Sequence, residues 1–136
     1  MSLAIETPTV DLAAEPTQVW AYLADIAHLE HLLPPDQCKD FRTEDGACRF
    51  RIQGGIDIVL AITESEAPTH LRFSSQKGTP IRFHLDVRLA PSATLPGHTE
   101  ATLHGEADVN PFMRMMVEAP LRSLFASVST ALQRQF

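Results

Sequence analysis

Apolar and polar residues alternate one by one through most of residues 39–109, and this pattern constrains the fold more than any other feature of the sequence. A two-residue period is typical of β-strands, whose successive side chains point to opposite faces of a sheet. Residues 81–89 and 101–109 show the alternation most clearly, with apolar side chains on one face and charged ones on the other. Antiparallel sheets tolerate one solvated face. The pattern therefore predicts six successive antiparallel strands.

The first two of these strands are predicted to form a hairpin about Asp45-Gly46, because this dipeptide favours a two-residue turn. Continuous pairing from that turn places Lys39 opposite Ile52 and Cys38 opposite Gln53. Cys38 then faces outward and Cys48 inward, too far apart for a disulfide, so both are expected to be free thiols. The same pairing puts three arginines on the outer face: Arg42, Arg49 and Arg51.

Helical signals lie on both sides of the alternating region. One strand is predicted over residues 4–12, followed by a helix beginning near Pro16 and a second helix over residues 27–33. At the other end, Asn110 suits an N-cap and Pro111 a first helical residue, which predicts a helix running to the C-terminus. Pro120 lies inside this helix and predicts a bend there, or two helices in series.

These elements describe one α+β domain over residues 1–136. The expected architecture is a helix-grip fold with a seven-stranded curved antiparallel sheet. Two short helices come after strand 1, and the long C-terminal helix packs on the apolar face of the sheet. A chain of 136 residues with 44% hydrophobic and 21% charged residues suits one globular domain.

Charge and hydropathy limit the partners. A net charge of −6 argues against nucleic acid, since phosphate binding needs a basic surface. No apolar run approaches the roughly 20 residues of a membrane-spanning helix. The N-terminus lacks the basic and apolar regions of a signal peptide, so the cytoplasm is the expected compartment. A homodimer remains open.

Few side chains are candidates for metal binding or catalysis. His28 and His31 share a face of the second helix, but no third metal ligand has suitable spacing, so neither a metal nor another cofactor is expected. His84 and His104 are predicted to point outward from the last two strands. Ser75 is the one clearly polar inward residue of the last four strands, and it has no inward base beside it.

An enzyme would need a titratable group among the inward side chains, and the strand alternation supplies none. Tyr22 or Glu118 would reach inward only if the helices were rotated relative to their predicted phases. The sequence therefore predicts no catalytic residue.

Two segments of the chain resemble the START-like, or Bet v 1-like, superfamily, also called SRPBCC, which includes polyketide cyclases. They are residues 14–25 (AEPTQVWAYLAD) and residues 28–34 (HLEHLLP). Residues 107–116 are similar to those of a small bacterial subgroup, for which the resemblance implies no activity. The resemblance extends over essentially the whole chain. It implies a cavity between sheet and helix that binds a lipid, sterol, quinone or polyketide.

Small inner residues of the last strand, such as Gly105, are expected to leave space beneath the helix, with a mouth beside Gly54 and Gly78. A leucine at position 105 is then expected to fill that space without unfolding the sheet. Inward phenylalanines could instead fill it, so an open cavity and a filled core both remain possible. The candidate ligand-binding residues are Phe50, Ile52, Ile58, Leu60, Phe73, Ser75, Phe83, Leu85, Leu103, Gly105, Met113, Met116, Val117 and Leu124.

Three functions remain open. The first, favoured by the apolar inner face, is binding or carriage of a hydrophobic small molecule without catalysis. The second is a cyclase- or hydratase-type enzyme acting on a hydrophobic substrate. The third is a protein-interaction domain with a filled core.

Overall fold

In the computed structural model, which describes residues 2–52 and 54–136, eight strands form one antiparallel sheet around a long helix. The strands are β1 (Ser2–Glu6), β2 (Val10–Leu12), β3 (Lys39–Glu44), β4 (Ala47–Ile52), β5 (Ile56–Glu66), β6 (His70–Ser75), β7 (Arg82–Pro91) and β8 (Thr99–Asp108). The helices are α1 (Pro16–Leu23), α2 (Leu29–Leu32), which follows a 3-10 turn (Ile26–His28), and α3 (Pro111–Gln135). The sheet order is β1-β8-β7-β6-β5-β4-β3, and β2 also pairs with β8. The predicted helix-grip fold is confirmed.

The N-terminal segment forms two strands where one was expected. β1 and β2 both pair with β8 but are separated at Pro8, which has no N–H to donate to a ladder. Thr7 bridges the break, because its N–H donates to the Leu103 carbonyl (3.0 Å) and its hydroxyl accepts from the Leu103 N–H (3.3 Å). The described sheet thus has eight strands, where the sequence predicted seven.

The first hairpin follows the prediction near its turn and departs from it further out. Thr43 lies opposite Cys48 as expected, but a bulge shifts the register so that Lys39 pairs with Arg51. Asp40 occupies the bulge with a positive φ of 58°. The predicted pairing of Lys39 with Ile52 is therefore wrong. The predicted partner of Cys38, Gln53, lies outside the described residues.

Helix α3 covers the apolar face of the sheet. Its N-cap is Asn110, whose side chain accepts a hydrogen bond from the Met113 N–H (2.8 Å). The helix continues through Pro120 as one element, so the alternative of two helices in series is wrong. Its buried side chains recur every three or four residues along one face: Val117, Leu121, Leu124, Phe125, Val128, Ser129, Ala131 and Leu132. All of them except Ser129 join the sheet's inner face in the hydrophobic core.

Candidate ligand-binding site between the sheet and helix α3

Most side chains predicted to contact a ligand come together between the sheet and α3. The strand register places the strand residues on the inner face, Val117 and Leu124 lie on the buried side of α3, and each residue of the set is at most 5% exposed. They are Phe50, Ile52, Ile58, Leu60, Phe73, Phe83, Leu85, Leu103, Val117 and Leu124. Gly105 is buried among them. The alternation in the sequence thus identified the inner face of the sheet.

Three predicted residues differ from this group. Ser75 is half-buried, and its hydroxyl accepts a hydrogen bond from the Phe83 N–H (3.0 Å), which fixes the start of β7. Met113 is half-buried against the core. Met116, expected to face the sheet, is 52% exposed, because Val117 takes the inner position of that turn. The adjacent Met115 is exposed as well.

The space expected above Gly105 is occupied by Phe125. A Cβ atom built on Gly105 would lie 1.9 Å from Phe125 Cε2 and 2.5 Å from Phe125 Cζ. The phenyl ring therefore rests directly on the glycine backbone, and the prediction of free space at this point is wrong. Phe125 was missed as an inward residue although it follows Leu121 by four positions, a spacing that places both on one helix face.

A surface pocket of about 400 Å³ lies where the loop after α2 meets β3. Its lining residues are Glu30, His31, Leu33, Pro35, Cys38 and Phe41. Beside it, a narrow gap between sheet and α3 is lined by Gln37, Cys38, Ile52, Pro120 and Leu124. This gap has no room for a water-sized sphere. Cys38 lines both, so it separates the surface pocket from the apolar inner face.

Cys38 takes this place because of the bulge at Asp40. The extra residue reverses the side on which the preceding side chains lie, so Cys38 shares the side of Ile52, whereas continuous pairing predicted that it faces outward. Phe41 borders the surface pocket and stacks on the buried ring of Phe50, with 6.2 Å between ring centroids. One wall of the pocket therefore packs directly on an aromatic residue of the core.

Hydrogen bonds hold the loop formed by residues 34–38 beside the surface pocket and the gap. The Pro34 carbonyl accepts hydrogen bonds from the N–H groups of Gln37 (3.1 Å) and Cys38 (2.9 Å). Across the gap, the Ser123 hydroxyl of α3 donates to Gln37 Oε1 (2.8 Å). This side-chain hydrogen bond joins the loop to the helix directly beside the gap.

At Gly78, one of the two glycines beside which a mouth was expected, the β6–β7 loop packs against the outer face of β5. A Cβ on Gly78 would lie 3.3 Å from Val59, the cross-strand partner of Arg49. The Thr79 hydroxyl accepts from the Val59 N–H (2.8 Å) and donates to the Val59 carbonyl (3.2 Å), which secures the loop. The surface pocket at Cys38 lies apart from this loop.

Both thiols are poor nucleophiles at neutral pH. Burial, together with the nearby negative charge of Asp36, raises the pKa of Cys38 to about 11. Burial likewise raises the pKa of Cys48 to about 11, although backbone hydrogen bonds partly oppose the effect. Neither cysteine has a disulfide partner among the described residues. The thiol of Cys38 therefore serves as part of an apolar lining.

Of the two titratable side chains considered for inward roles, Glu118 lies outside the core, whereas Tyr22 is half-buried and packs against it. Glu118 accepts hydrogen bonds from Arg114 (2.7 Å) and Arg122 (3.0 Å) on the solvent side of α3. The Tyr22 ring stacks on His28 at 4.2 Å between centroids. Asp86 is the only Asp or Glu among the buried residues that the structure describes, and it lies on the outer face of the sheet.

The outer face holds a compact charged cluster around Asp86. Arg72 donates to both carboxylate oxygens (2.9 and 3.2 Å), His70 Nε2 lies 2.6 Å from Oδ1, and His84 Nε2 lies 3.4 Å from Oδ2. Burial alone would raise the pKa of Asp86, but hydrogen bonds from Arg72 and His70, with the nearby charges, outweigh it and hold that pKa below its usual value. The residues covering Asp86 thus keep it ionised.

No group of three or more His, Cys, Asp or Glu side chains within residues 2–52 and 54–136 is arranged to hold a metal ion. The His28 Nδ1 donates to the Tyr22 carbonyl (2.7 Å), and the rings of His28 and His31 are 6.4 Å apart. In the same described ranges, no helix is both long and apolar enough to span a bilayer.

Comparison with known proteins agrees with this architecture. The sequence matches the family described as "Polyketide cyclase / dehydrase and lipid transport" over residues 6–136. The chain therefore belongs to that family, whose fold is suited to binding hydrophobic ligands. No curated protein is significantly similar in sequence.

Several solved structures share the fold at low sequence identity. Truncated norcoclaurine synthase from Thalictrum flavum is 15% identical, with 99% of this chain and 93% of that chain covered and a TM-score of 0.74. XoxI from Bacillus cereus is 13% identical, with 98% and 94% covered and a TM-score of 0.71. A START superfamily protein from Mycobacterium smegmatis is 13% identical, with 99% of both chains covered and a TM-score of 0.65. At these identities the likeness concerns the fold.

Proposed function

We propose that the protein binds or carries an apolar small molecule, such as a lipid, quinone or polyketide-like compound, between the sheet and α3. The observation that carries the proposal is the position of Cys38, which lines both the 400 Å³ surface pocket and the gap leading to Ile52 and Leu124. A ligand seated in the outer pocket would need only a local displacement at Cys38 to reach the apolar inner face.

The chemistry of the inner face favours binding over catalysis. Its buried side chains are predominantly apolar, with Ser129 of α3 among the exceptions, and burial of a ligand there is driven by removal of apolar surface from water, about 25 cal/mol per Å². The polar groups nearest the gap are Gln37 and Ser123, which already bond to each other. They could orient one polar group of a ligand, but they offer no proton donor or acceptor of the strength that general acid–base catalysis needs.

Binding requires the core to open. The gap at Cys38 is closed, and Phe125 covers Gly105, so the ligand must displace side chains that are packed in the present structure. We expect the loop of residues 34–38 to move, because it borders both the surface pocket and the gap, and the hydrogen bond between Gln37 and Ser123 joins it to α3. A ligand that favours the open arrangement would shift the population toward it.

Binding of the neutral fluorescent probe N-phenyl-1-naphthylamine tests the proposal. Saturable binding by the wild type is expected, with competition by oleic acid or a short-chain ubiquinone. Cys38→Trp should weaken binding by about tenfold or more, since the indole fills the boundary between pocket and gap. Native mass spectrometry of the protein purified from its own host would identify the bound molecule.

Ala90→Trp is the control. Ala90 is exposed on β7, a strand that contributes no residue to the lining of the surface pocket or of the gap. It should leave probe affinity unchanged, while circular dichroism verifies that both variants fold. Absence of saturable binding to the wild type, or equal affinity of the folded Cys38→Trp variant, would overturn the proposal and favour a domain with a filled core.

A further inference from the structure

Two arginines face each other across the first hairpin on the outer face of the sheet. Arg42 of β3 and Arg49 of β4 are direct cross-strand partners. Like charges in this relation are destabilising, because the side chains of opposite residues lie close together. Within the described residues, neither guanidinium has a carboxylate at ion-pair distance, although salt bridges occur elsewhere on the same face.

The pair is part of a larger basic surface. The next cross-strand pair along the hairpin, Lys39 and Arg51, is also cationic. Four of the chain's 11 Lys and Arg residues thus face outward on one hairpin, in a protein whose net charge is −6. A general excess of basic residues does not account for this concentration.

Protection of a sheet edge explains only part of the arrangement. β3 is an edge strand, and charges on an edge discourage pairing with other chains. That role suits Arg42, which is exposed on β3. It does not account for Arg49, which is half-buried on β4, a strand paired on both sides.

A concavity of about 230 Å³ lies over this surface. It is lined by Asp40, Arg42, Arg49, Phe50, Arg51 and Asp57. Arg51 is already engaged, since its Nε donates to Asp57 Oδ1 (3.0 Å). Besides that ion pair, Arg42 and Arg49 bring two positive charges to the concavity and Asp40 brings one negative charge.

The guanidinium of Arg49 lies beside the β6–β7 loop. Its Nη2 atom is 3.4 Å from the position that a Cβ on Gly78 would take, an ordinary van der Waals distance. Lys77 precedes that glycine, so the loop beside Arg49 carries a further basic residue.

We propose that Arg42 and Arg49 form a binding site for a phosphate-type oxyanion. Each guanidinium presents parallel N–H groups that match two oxygens of a phosphate, and two such groups facing one concavity suit a tetrahedral dianion. The bound anion would also remove the repulsion between the two arginines. The site lies on the opposite face of the sheet from the apolar inner face, so it does not depend on the proposed apolar ligand.

NMR titration of the arginine Nε–Hε signals with inorganic phosphate and pyrophosphate tests this site. Saturable shifts are expected for Arg42 and Arg49. Arg42→Gln and Arg49→Gln should each weaken pyrophosphate binding by about tenfold, the effect of losing one hydrogen-bonded charged partner. Arg88→Gln is the control. Arg88 is exposed on the same outer face in β7, and its substitution removes the same charge from the protein.

A second arm identifies the source of the phosphate group. Vesicles of phosphatidylcholine, with and without phosphatidic acid, are sedimented with the wild type and the three variants. Vesicle binding that needs both phosphatidic acid and the two arginines supports the proposed site and identifies its ligand as a lipid headgroup. Binding of pyrophosphate without binding of vesicles supports the site and identifies its ligand as a free phosphate compound. Absence of saturable binding in both arms, or equal losses in all three variants, overturns the proposal.

Discussion

The phenyl ring of Phe125 lies directly on the backbone of Gly105, so closely that a Cβ atom at position 105 would come within 1.9 Å of Cε2. These residues belong to α3 and β8, and their contact fixes how closely the helix approaches the sheet. Because the contact is made by a large ring and a residue without a side chain, it allows no added atom unless the Phe125 ring or one of the two elements moves.

We expect Gly105→Ala to destabilise the protein by about 1–3 kcal/mol, because the methyl group overpacks the contact with Phe125. Gly105→Leu should be more destabilising, contrary to the expectation of free space. Urea unfolding followed by circular dichroism measures both effects. Phe125→Leu serves as the reference, and the double variant Gly105→Ala/Phe125→Leu should be more stable than the sum of the single changes implies. Additive effects, or an unchanged stability of Gly105→Ala, would contradict this account of the contact.

Asp86→Asn should lower the free energy of unfolding by about 1.5–3 kcal/mol near neutral pH, because the amide cannot replace the charged hydrogen bonds with Arg72. The folded-state pKa of Asp86 lies below its unfolded value, so its stabilisation is complete above the unfolded pKa and is lost as the pH falls through the folded one. The difference in free energy of unfolding between wild type and Asp86→Asn should therefore shrink from about pH 5 downward.

Urea unfolding at a series of acidic pH values measures that difference. Glu118→Gln is a useful control, since Glu118 also has a lowered pKa, caused by hydrogen bonds from Arg114 and Arg122, but lies in an exposed ion-pair network. Its effect should be smaller than that of Asp86→Asn. A difference between wild type and Asp86→Asn that stays constant through the acidic range would count against the role of the ionised carboxylate.

Ser123→Ala should loosen the loop of residues 34–38, because it removes the hydrogen bond to Gln37. Amide hydrogen exchange of Gln37 and Cys38 should accelerate by about two- to tenfold, the range given by one ordinary hydrogen bond. Release of N-phenyl-1-naphthylamine should accelerate in parallel if the loop controls access. Ser127→Ala, one turn further along α3, should leave both rates unchanged. Equal exchange rates in the wild type and Ser123→Ala would show that this bond does not restrain the loop.

Both cysteines should react slowly with iodoacetamide at about pH 7.5, since a pKa near 11 leaves about 300-fold less thiolate than a free cysteine with a pKa of 8.5. The rate should rise steeply as the pH approaches 10 to 11. The variant Cys48→Ala isolates Cys38, and mass spectrometry measures its modification. In guanidinium chloride the same thiol should react at the ordinary rate. Rapid modification of native Cys38 at neutral pH would contradict its placement at the closed boundary.

The sheet's inner face could be predicted in detail, because alternation along a strand is a local property. Phe73 and Leu85 are cross-strand partners on the buried face, as their parity indicated. The start of α3 could be predicted for the same reason, since Asn110 and Pro111 act within one helical turn. Met116 shows where local reasoning was insufficient, because an apolar residue at the margin of a helical stripe can lie on either side of it.

The sequence by itself determined which segments form strands, which faces are apolar and where the covering helix begins, since these depend on neighbours along the chain. Tertiary structure decided the bulge at Asp40, which moved Cys38 to the inner side, and the contact between Phe125 and Gly105. Both outcomes depend on pairing between elements that are separate in sequence. Register and packing distance are set by such partners together, so no local pattern in either one could reveal them.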